Sequence, residues 1–377
     1  MTAPSTSGPA APSPTGPAAP SAPKATAPRS TLRRRPFRLA FPPVSGVLRP
    51  RLLLTGLLLA AGAFLLFCWG LTIGDYPVPL GDVIKALGGS GDAATVLVIQ
   101  ELRLPRALTG LLVGVAFGVS GAVFQTMTRN PLASPDMIGL TAGAGTAVVA
   151  AVVLGWTGGM GLSTLGLLGS LATALLVYAL AWKRGATGYR IILVGIGVSW
   201  ICTSATDFLV ARGNRFEAQA ALGWLVGNLN GRTWDQVNTL ALALAVLLPV
   251  TLGMSRWLRT LQLGDDVAAG LGTPVQPVRL ALLLAGVGLV AFGTAAAGPV
   301  AFVALAAPQI ALRLAGTSSP PPLVSGLTGA FVVLGSDLLA REAISGTELP
   351  VGIVTGALGA PVLLWLLIRV NRAGSGG

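Results

Sequence analysis

The sequence predicts an all-α membrane protein, a polytopic bundle of about ten transmembrane helices with both termini in the cytoplasm. Three observations carry that expectation. Of 377 residues, 53% are hydrophobic and only 10% charged, against about a quarter charged in an ordinary soluble domain. The mean hydropathy is +0.76, so lipid must be the solvent for much of the surface. The apolar residues gather in runs of roughly 20, the length a helix needs to cross about 30 Å of hydrocarbon.

Taken in order, residues 1–48 are rich in Pro, Ala, Ser and Thr without apolar periodicity, and read as a disordered cytoplasmic tail. Their start lacks the charged-then-apolar pattern of a cleaved signal peptide. The first span is expected at 52–74. A polar stretch follows at 75–101, with Pro77, Pro79 and an amphipathic segment near 83–87. Further spans are expected at 103–127, 137–155, 162–182, 191–211 and 237–254, then 278–297, 300–315, 323–340 and 351–368. Residues 49–372 thus form one membrane domain, and 373–377 a short flexible tail.

The net charge of +12 is unevenly placed. Lys24, Arg29, Arg33, Arg34, Arg35, Arg38, Arg49 and Arg51 all precede the first apolar run. Alone, that cluster resembles a nucleic-acid patch, but positive-inside orientation at the lipid headgroups accounts for it better. Lipid or partner binding by the cluster is the alternative, and no nucleic-acid partner is expected. With ten spans, Arg129, Lys183, Arg184, Arg190, Arg256, Arg259, Arg279, Arg313, Arg369 and Arg372 also fall on inner ends. The outer side keeps the smaller set of Lys85, Arg103, Arg106, Arg212, Arg215, Arg232 and Arg341.

Composition also excludes chemistry. The chain has no histidine, and its two cysteines, Cys68 and Cys202, lie far apart inside apolar runs. A zinc, haem or histidine-dependent site has almost no ligands to draw on, so no metal or cofactor is expected. No GxxxxGK[ST] stretch is present to hold ATP in that form. Asp207 and Asp337 are the acids expected within or at the ends of spans, where charge marks function by default. Asp337 stands four residues before Arg341, a spacing that pairs them on one helix face; Asp207 has no obvious partner.

Gly114, Gly118 and Gly121 repeat at the spacing that lets helix backbones approach closely, as do Gly195 with Ser199 and Gly352 with Gly356. Plain packing explains them; lining a pore is the alternative. Residues 118–131 and 293–308 share small residues, an aromatic and a closing proline, as two halves of opposed orientation would.

A resemblance begins at Arg103-Leu104-Pro105-Arg106. It runs through Gly114, Gly118, Ser120-Gly121 and Gln125 to Asn130-Pro131-Leu132-Ala133-Ser134-Pro135-Asp136, then Ile138-Gly139 and Gly143-Ala144. It resumes at Leu263-Gly264-Asp265-Asp266, Ala268-Ala269-Gly270-Leu271-Gly272, Gly298-Pro299-Val300-Ala301-Phe302-Val303 and Pro308. It closes with Asp337, Arg341, Glu348-Leu349-Pro350-Val351-Gly352 and Gly359-Ala360-Pro361. Over about residues 50–372 the chain resembles the FecCD family, permeases of binding-protein-dependent ABC importers for iron–siderophores, haem and cobalamin. Many members carry histidine where this chain has Gln309. That departure, with Trp224 to Trp234, looks like the subgroup of enterobactin-type siderophore permeases.

The resemblance implies a non-catalytic subunit moving ferric siderophores by alternating access. Its partners would be separate ATPase chains, a soluble or lipid-anchored binding protein and a second, related permease as heterodimer partner. It implies that Arg103, Arg106 and Arg341 meet acidic residues of the binding protein, although anchoring helix ends at headgroups would also suit them. It places Asp265, Asp266, Ala268, Ala269, Gly270, Leu271 and Gly272 against the ATPase. A cobalamin or haem permease is the near alternative. A proton-coupled secondary transporter is the distant one; it would want a relay of buried acids or histidines. A membrane enzyme would need a convergent catalytic set, and none is visible.

Overall fold

The computed structural model describes residues 35–39, 44–74, 76–156, 161–181, 188–343 and 348–374. It divides into two units, Met1–Leu48 and Arg49–Gly377. In the first, β1 (Arg35–Leu39) and β2 (Val44–Leu48) pair antiparallel, with Arg35 opposite Leu48 and Leu39 opposite Val44. Composition predicts an irregular tail throughout 1–48; in these two segments a ribbon stands instead. Phe37, Leu39, Val44 and Val47 supply the bulky residues that pairing favours, and a lone ribbon of this kind is marginal in water. The remainder of the expected tail, 1–34 and 40–43, lies outside the described residues.

The second unit is helical among its described residues. Ten apolar helices fall one to one on the expected spans: α1 (Pro50–Thr72), α2 (Leu104–Thr128), α3 (Leu140–Val153), α4 (Leu162–Ala181) and α5 (Gly188–Arg212). There follow α6 (Trp234–Gly253), α7 (Val275–Ala297), α8 (Val303–Ala315), α9 (Pro322–Glu342) and α10 (Val351–Gly374). Seven helices are long and apolar enough to cross a membrane; α3, α8 and the Val351–Trp365 stretch of α10 are shorter. α10 runs into the tail expected from 373, and 375–377 lie outside the described residues.

Helices α2, α7 and α9 form the core, most of their apolar length buried inside the chain, whereas α1 buries few residues, Ala63, Gly70 and Leu71. Leu53, Leu57, Leu58, Phe64 and Leu65 cover its outer face. That inversion of the soluble rule follows from lipid being the solvent. The core helices meet backbone to backbone. A Cβ on Gly114 would lie 2.5 Å from Ala330 Cα and from Gly329 O, one on Gly118 would fall on Ser325 O, and one on Gly121 on Ala304 O. Gly195 likewise meets Ile138 Cα, and Gly352 meets Val226 O. The small residues singled out in these helices are therefore packing residues; Gly356, whose nearest neighbour would be Ala301 Cβ at 3.9 Å, is not tightly constrained.

Two of the short helices follow breaks. Between α2 and α3, Arg129 takes a left-handed conformation (φ 55°), Asn130 Oδ1 accepts the Leu132 N–H at 2.9 Å, and a 3₁₀ turn spans Pro135–Ile138. Between α7 and α8, Gly298 (φ 76°) and Phe302 (φ 65°) redirect the chain, and Asn228 N–H donates to Ala297 O at 2.8 Å. Irregular backbone at membrane depth survives where protein covers it; none of Gly298–Phe302 is exposed, whereas the first break begins with exposed Arg129–Pro131 and buries Ala133–Pro135. Both breaks lie between a long helix and a shorter one, but the segments 118–131 and 293–308 do not match in place: Pro131 falls in the first break, whereas Pro308 lies inside α8.

Pro77, Pro79 and the amphipathic segment resolve into a helix at Leu80–Leu87 that buries Val83 and Ala86. A helix then runs from Ala93 into α2 through a π turn at Val98–Arg103. The outer helix Arg215–Leu225 was absent from the expected elements. Asn214 and Glu217 form its capping box, with Glu217 N–H on Asn214 Oδ1 at 3.0 Å and Asn214 N–H on Glu217 Oε2 at 2.9 Å. Replacing Gly118 with leucine should destabilise the bundle by about 1–3 kcal/mol through overpacking, while Gly356→Ala should be tolerated. Thermal unfolding in detergent checks both; equal midpoints for the two variants would contradict the packing.

Candidate functional site

At the outer ends of α2 and α9 the sequence predicts a rim of three arginines. The structure places them together, yet not as open cations. Arg106 donates from Nε and Nη2 to Asp337 Oδ1 at 3.2 and 3.0 Å, and from Nη1 to Glu348 Oε2 at 2.8 Å. Arg341 Nη2 donates to Asp337 Oδ2, and its Nη1 to Gly70 O at 3.1 Å. Arg103 donates from Nη1 to Leu71 O at 2.9 Å and from Nη2 to Tyr76 O. The side chains of Arg106, Asp337 and Arg341 are only 10%, 5% and 7% exposed, whereas Glu348 is 44% exposed.

The arrangement has a physical logic. Asp337 and Arg341 are one helical turn apart on α9, as their spacing predicts, and Asp337 is shared by two guanidiniums. Arg103 Nη1 and Arg341 Nη1 reach the Leu71 and Gly70 carbonyls in the last turn of α1, which a helix leaves unsatisfied, and Arg103 Nη2 reaches Tyr76 O just beyond it. The three arginines therefore sew α1, α2 and α9 together. Arg106 and Arg341 are thereby balanced by Asp337 and Glu348, two positive against two negative groups, while Arg103 beside them donates to the carbonyls Leu71 O and Tyr76 O.

At the opposite end, the chain leaves α6 through a helix at Ser255–Leu261 and enters a second at Asp265–Gly270. Asp265 Oδ1 accepts from Arg279 Nη2 at 2.6 Å, tying this short helix to α7. Ala268 is fully buried and anchors it, while Asp265, Asp266, Ala269, Gly270, Leu271 and Gly272 are exposed. Leu263 just before the helix, Val267 within it and Leu271 at its C-cap are 59%, 51% and 61% exposed, forming an apolar ridge. Val267 was not among the residues the sequence singled out. Gly264 (φ 104°) starts the helix beside Arg129, which brings the Asn130-Pro131 turn to the same end.

Near the inner ends of α2 and α8 lies a buried polar chain. Gln309 Nε2 donates to Gln125 Oε1 at 2.7 Å, and Gln125 Nε2 to Leu305 O at 2.9 Å. Arg313 Nη1 donates to Gln309 O and Oε1 at 2.8 and 3.1 Å, and its guanidinium lies 4.7 Å from the centre of the Trp365 ring. Pro308 sits beside Gln309 against Gly121, Pro135 opens the 3₁₀ turn, and Pro361 lies inside α10. Pro350 precedes α10, and Gly352 N–H donates to Gly227 O at 3.2 Å.

These features sit within a stretch that a family model recognises. The model of the FecCD transport family matches residues 62–369. The chain belongs to the FecCD transport family. It is 39% identical over 322 residues to the ferric enterobactin transport system permease protein FepG of Escherichia coli, covering 85% of this chain and 98% of that one. It is 37% identical over 328 residues to the iron(3+)-hydroxamate import system permease protein FhuG of Bacillus subtilis, covering 84% and 98%. The vitamin B12 import system permease protein BtuC of Klebsiella pneumoniae is 36% identical over 308 residues, covering 81% and 90%. A solved inward-facing structure of a metal-chelate type ABC transporter superposes with a TM-score of 0.74 at 27% identity, over 83% of this chain and 98% of that one. FecCD membership and the apolar helices make this a multi-pass membrane protein.

One group in this FecCD chain escaped the sequence reading except as part of a motif. Asp136 follows Pro135 in the break between α2 and α3. Its Oδ2 accepts from Ser134 Oγ at 3.1 Å, but its Oδ1 is buried without a partner among the described residues. With Ser134 and Thr141 it lines a cavity of about 330 Å³ bounded by Pro299–Phe302 and Leu305. A buried carboxylate oxygen left unpaired is a rare feature, and a lone acid beside an apolar run was the available signal. Asp207 is exposed on α5, on the face that carries Trp200 and Thr203. No group of three or more histidine, cysteine or acidic residues fit for a metal occurs among the described residues.

Two outcomes follow. Asp337→Ala leaves two guanidiniums buried beside each other and should cost about 3–5 kcal/mol, read as a lowered thermal midpoint in detergent. Gln309→Leu leaves Gln125 Oε1 buried without its donor, while Arg313 keeps the residue-309 carbonyl, and should cost about 1–3 kcal/mol in the same assay. A Gln309→Leu midpoint equal to that of the parent protein would show the chain to be dispensable.

Proposed function

We propose that this chain is the membrane-spanning permease subunit of an ATP-driven importer for ferric siderophore complexes. The observation that carries the reading is the ridge of Leu263, Val267 and Leu271, held outward at the inner end of a FecCD bundle. An exposed apolar ridge on a short, doubly anchored helix is a surface made for a partner. The chain has no phosphate-binding loop of the GxxxxGK[ST] form, so ATP hydrolysis belongs to separate ATPase chains that push on this ridge. The tie from Asp265 to Arg279 passes that push to α7.

A siderophore cargo is supported by the enterobactin and hydroxamate permeases among its relatives. BtuC is similar at nearly the same identity, so cobalamin is the second reading. At the outer end the binding protein docks around Arg103, Arg106 and Arg341, whose internal bonds hold the seat in shape. A second, related permease completes the path, and the exposed, charged face of α5 at Asp207 suits a water-filled route or that partner better than lipid. Alternating access then follows as ATP-driven rocking of the two permeases about a path between them.

Uptake of radioactive iron-loaded enterobactin and ferrioxamine, beside labelled cobalamin, in cells with and without the gene decides the cargo. Loss of one iron activity, restored by the gene, is expected; loss of cobalamin uptake instead would overturn the cargo. Leu271→Asp should lower uptake by an order of magnitude or more (about 1.4 kcal/mol per tenfold) with normal membrane insertion. Uptake that survives ATP depletion and collapses with a proton uncoupler would sink the importer reading altogether.

A further inference from the structure

The outer cluster contains one partner unlike the rest. Asp337 is 5% exposed and bridges two arginines, so it cannot leave without stranding both. Glu348 is 44% exposed, and its bond from Arg106 Nη1 at 2.8 Å is the only hydrogen bond its side chain makes to the cluster among the described residues. The backbone beside it is fixed, with Leu349 N–H on Ala340 O at 3.0 Å. Rotation about the three side-chain bonds of Glu348 alone would free Arg106 Nη1. Arg106 and Arg341 would then share Asp337 alone, two positive charges against one negative, and a guanidinium edge would face the outside.

We infer that Glu348 is an internal stand-in for a carboxylate of the docking protein, occupying Arg106 in the unpartnered permease and giving way when the partner's acid arrives. The inference rests on the docking reading above and deepens it. The exchange is nearly even in bonds, one carboxylate for another on the same Nη1. It keeps Arg106 from being left with an unmet donor in either state, which a buried guanidinium would not tolerate. It also screens the outer rim against weakly acidic surfaces, since any competitor must outbid a tethered group at high local concentration. A partner that places an acid in register, with further contacts around it, succeeds.

The test is the affinity of the binding protein that restores uptake for the complete transporter in lipid nanodiscs, with Glu348→Gln, Glu348→Asp and Arg106→Glu. A half-exposed ion pair is worth about 0.2–1 kcal/mol. Glu348→Gln is therefore expected to tighten binding by about 1.4- to fivefold, chiefly at low salt. Glu348→Asp, one methylene too short to hold the 2.8 Å bond, should tighten it in the same direction even if the amide variant folds poorly. Weaker or unchanged binding in both variants, with Arg106→Glu abolishing capture, would overturn the stand-in while leaving docking intact. Unchanged capture by Arg106→Glu would overturn docking itself, and the stand-in with it.

Discussion

The close approach of α2 to α9 and α8 is the constraint on which the rest of the molecule depends. Inside a bilayer the hydrophobic effect does not press helices together, because lipid tails are as apolar as leucine. Attraction must come from backbone surfaces in van der Waals contact and from polar groups that meet across the gap. Gly114, Gly118 and Gly121 remove the side chains that would hold α2 away, and Ser325, Gly326, Gly329 and Ala304 do the same from the other side. Once the backbones touch, Arg106 is carried to Asp337 and Gln125 to Gln309, residues 231 and 184 positions away. Neither polar contact would form if the helices stood a side chain further apart.

That arrangement makes α2 a rigid connector between two ends with different chemistry. Its outer end is pinned through Arg106 to α9, with Arg103 just before it pinned to the end of α1. Its inner end stops at Arg129, beside the start of the helix at Asp265–Gly270. Its last turn is clamped by the buried Gln125–Gln309 pair. Displacement at one end therefore has few soft places in which to be absorbed, and the two breaks before α3 and α8 are the places where backbone geometry departs from helix. Phe302, left-handed without being glycine, marks one of them.

Much of this was legible in the sequence. The ten apolar runs named the ten helices, because a span needs length and apolarity and little else. The four-residue spacing of Asp337 and Arg341 named their ion pair. Gly118 and Gly121 announced packing because only a close backbone rewards glycine within a helix. What the sequence hid was the spending of charge. Arg103, Arg106 and Arg341 read as open docking groups since their partners, Leu71 O, Asp337 and Gly70 O, are brought to them only by the tertiary fold. The helix at Arg215–Leu225 was announced by Asn214 and Glu217 and passed over for want of apolar periodicity. Asp136 was hidden for the opposite reason: its significance is a bond it lacks, and no pattern of residues encodes an absence.

The glutamine chain has a consequence for the settings in which such a protein can work. Imidazole gains and loses a proton in the range of common environments, whereas an amide does neither. With Gln309 between Gln125 and Arg313, the joint of α2, α8 and α10 keeps one fixed pattern of donors and acceptors. Acidification of the surroundings gives it nothing to titrate. Its geometry is insulated from the medium, and any sensitivity of the whole assembly to acid would have to enter through carboxylates elsewhere.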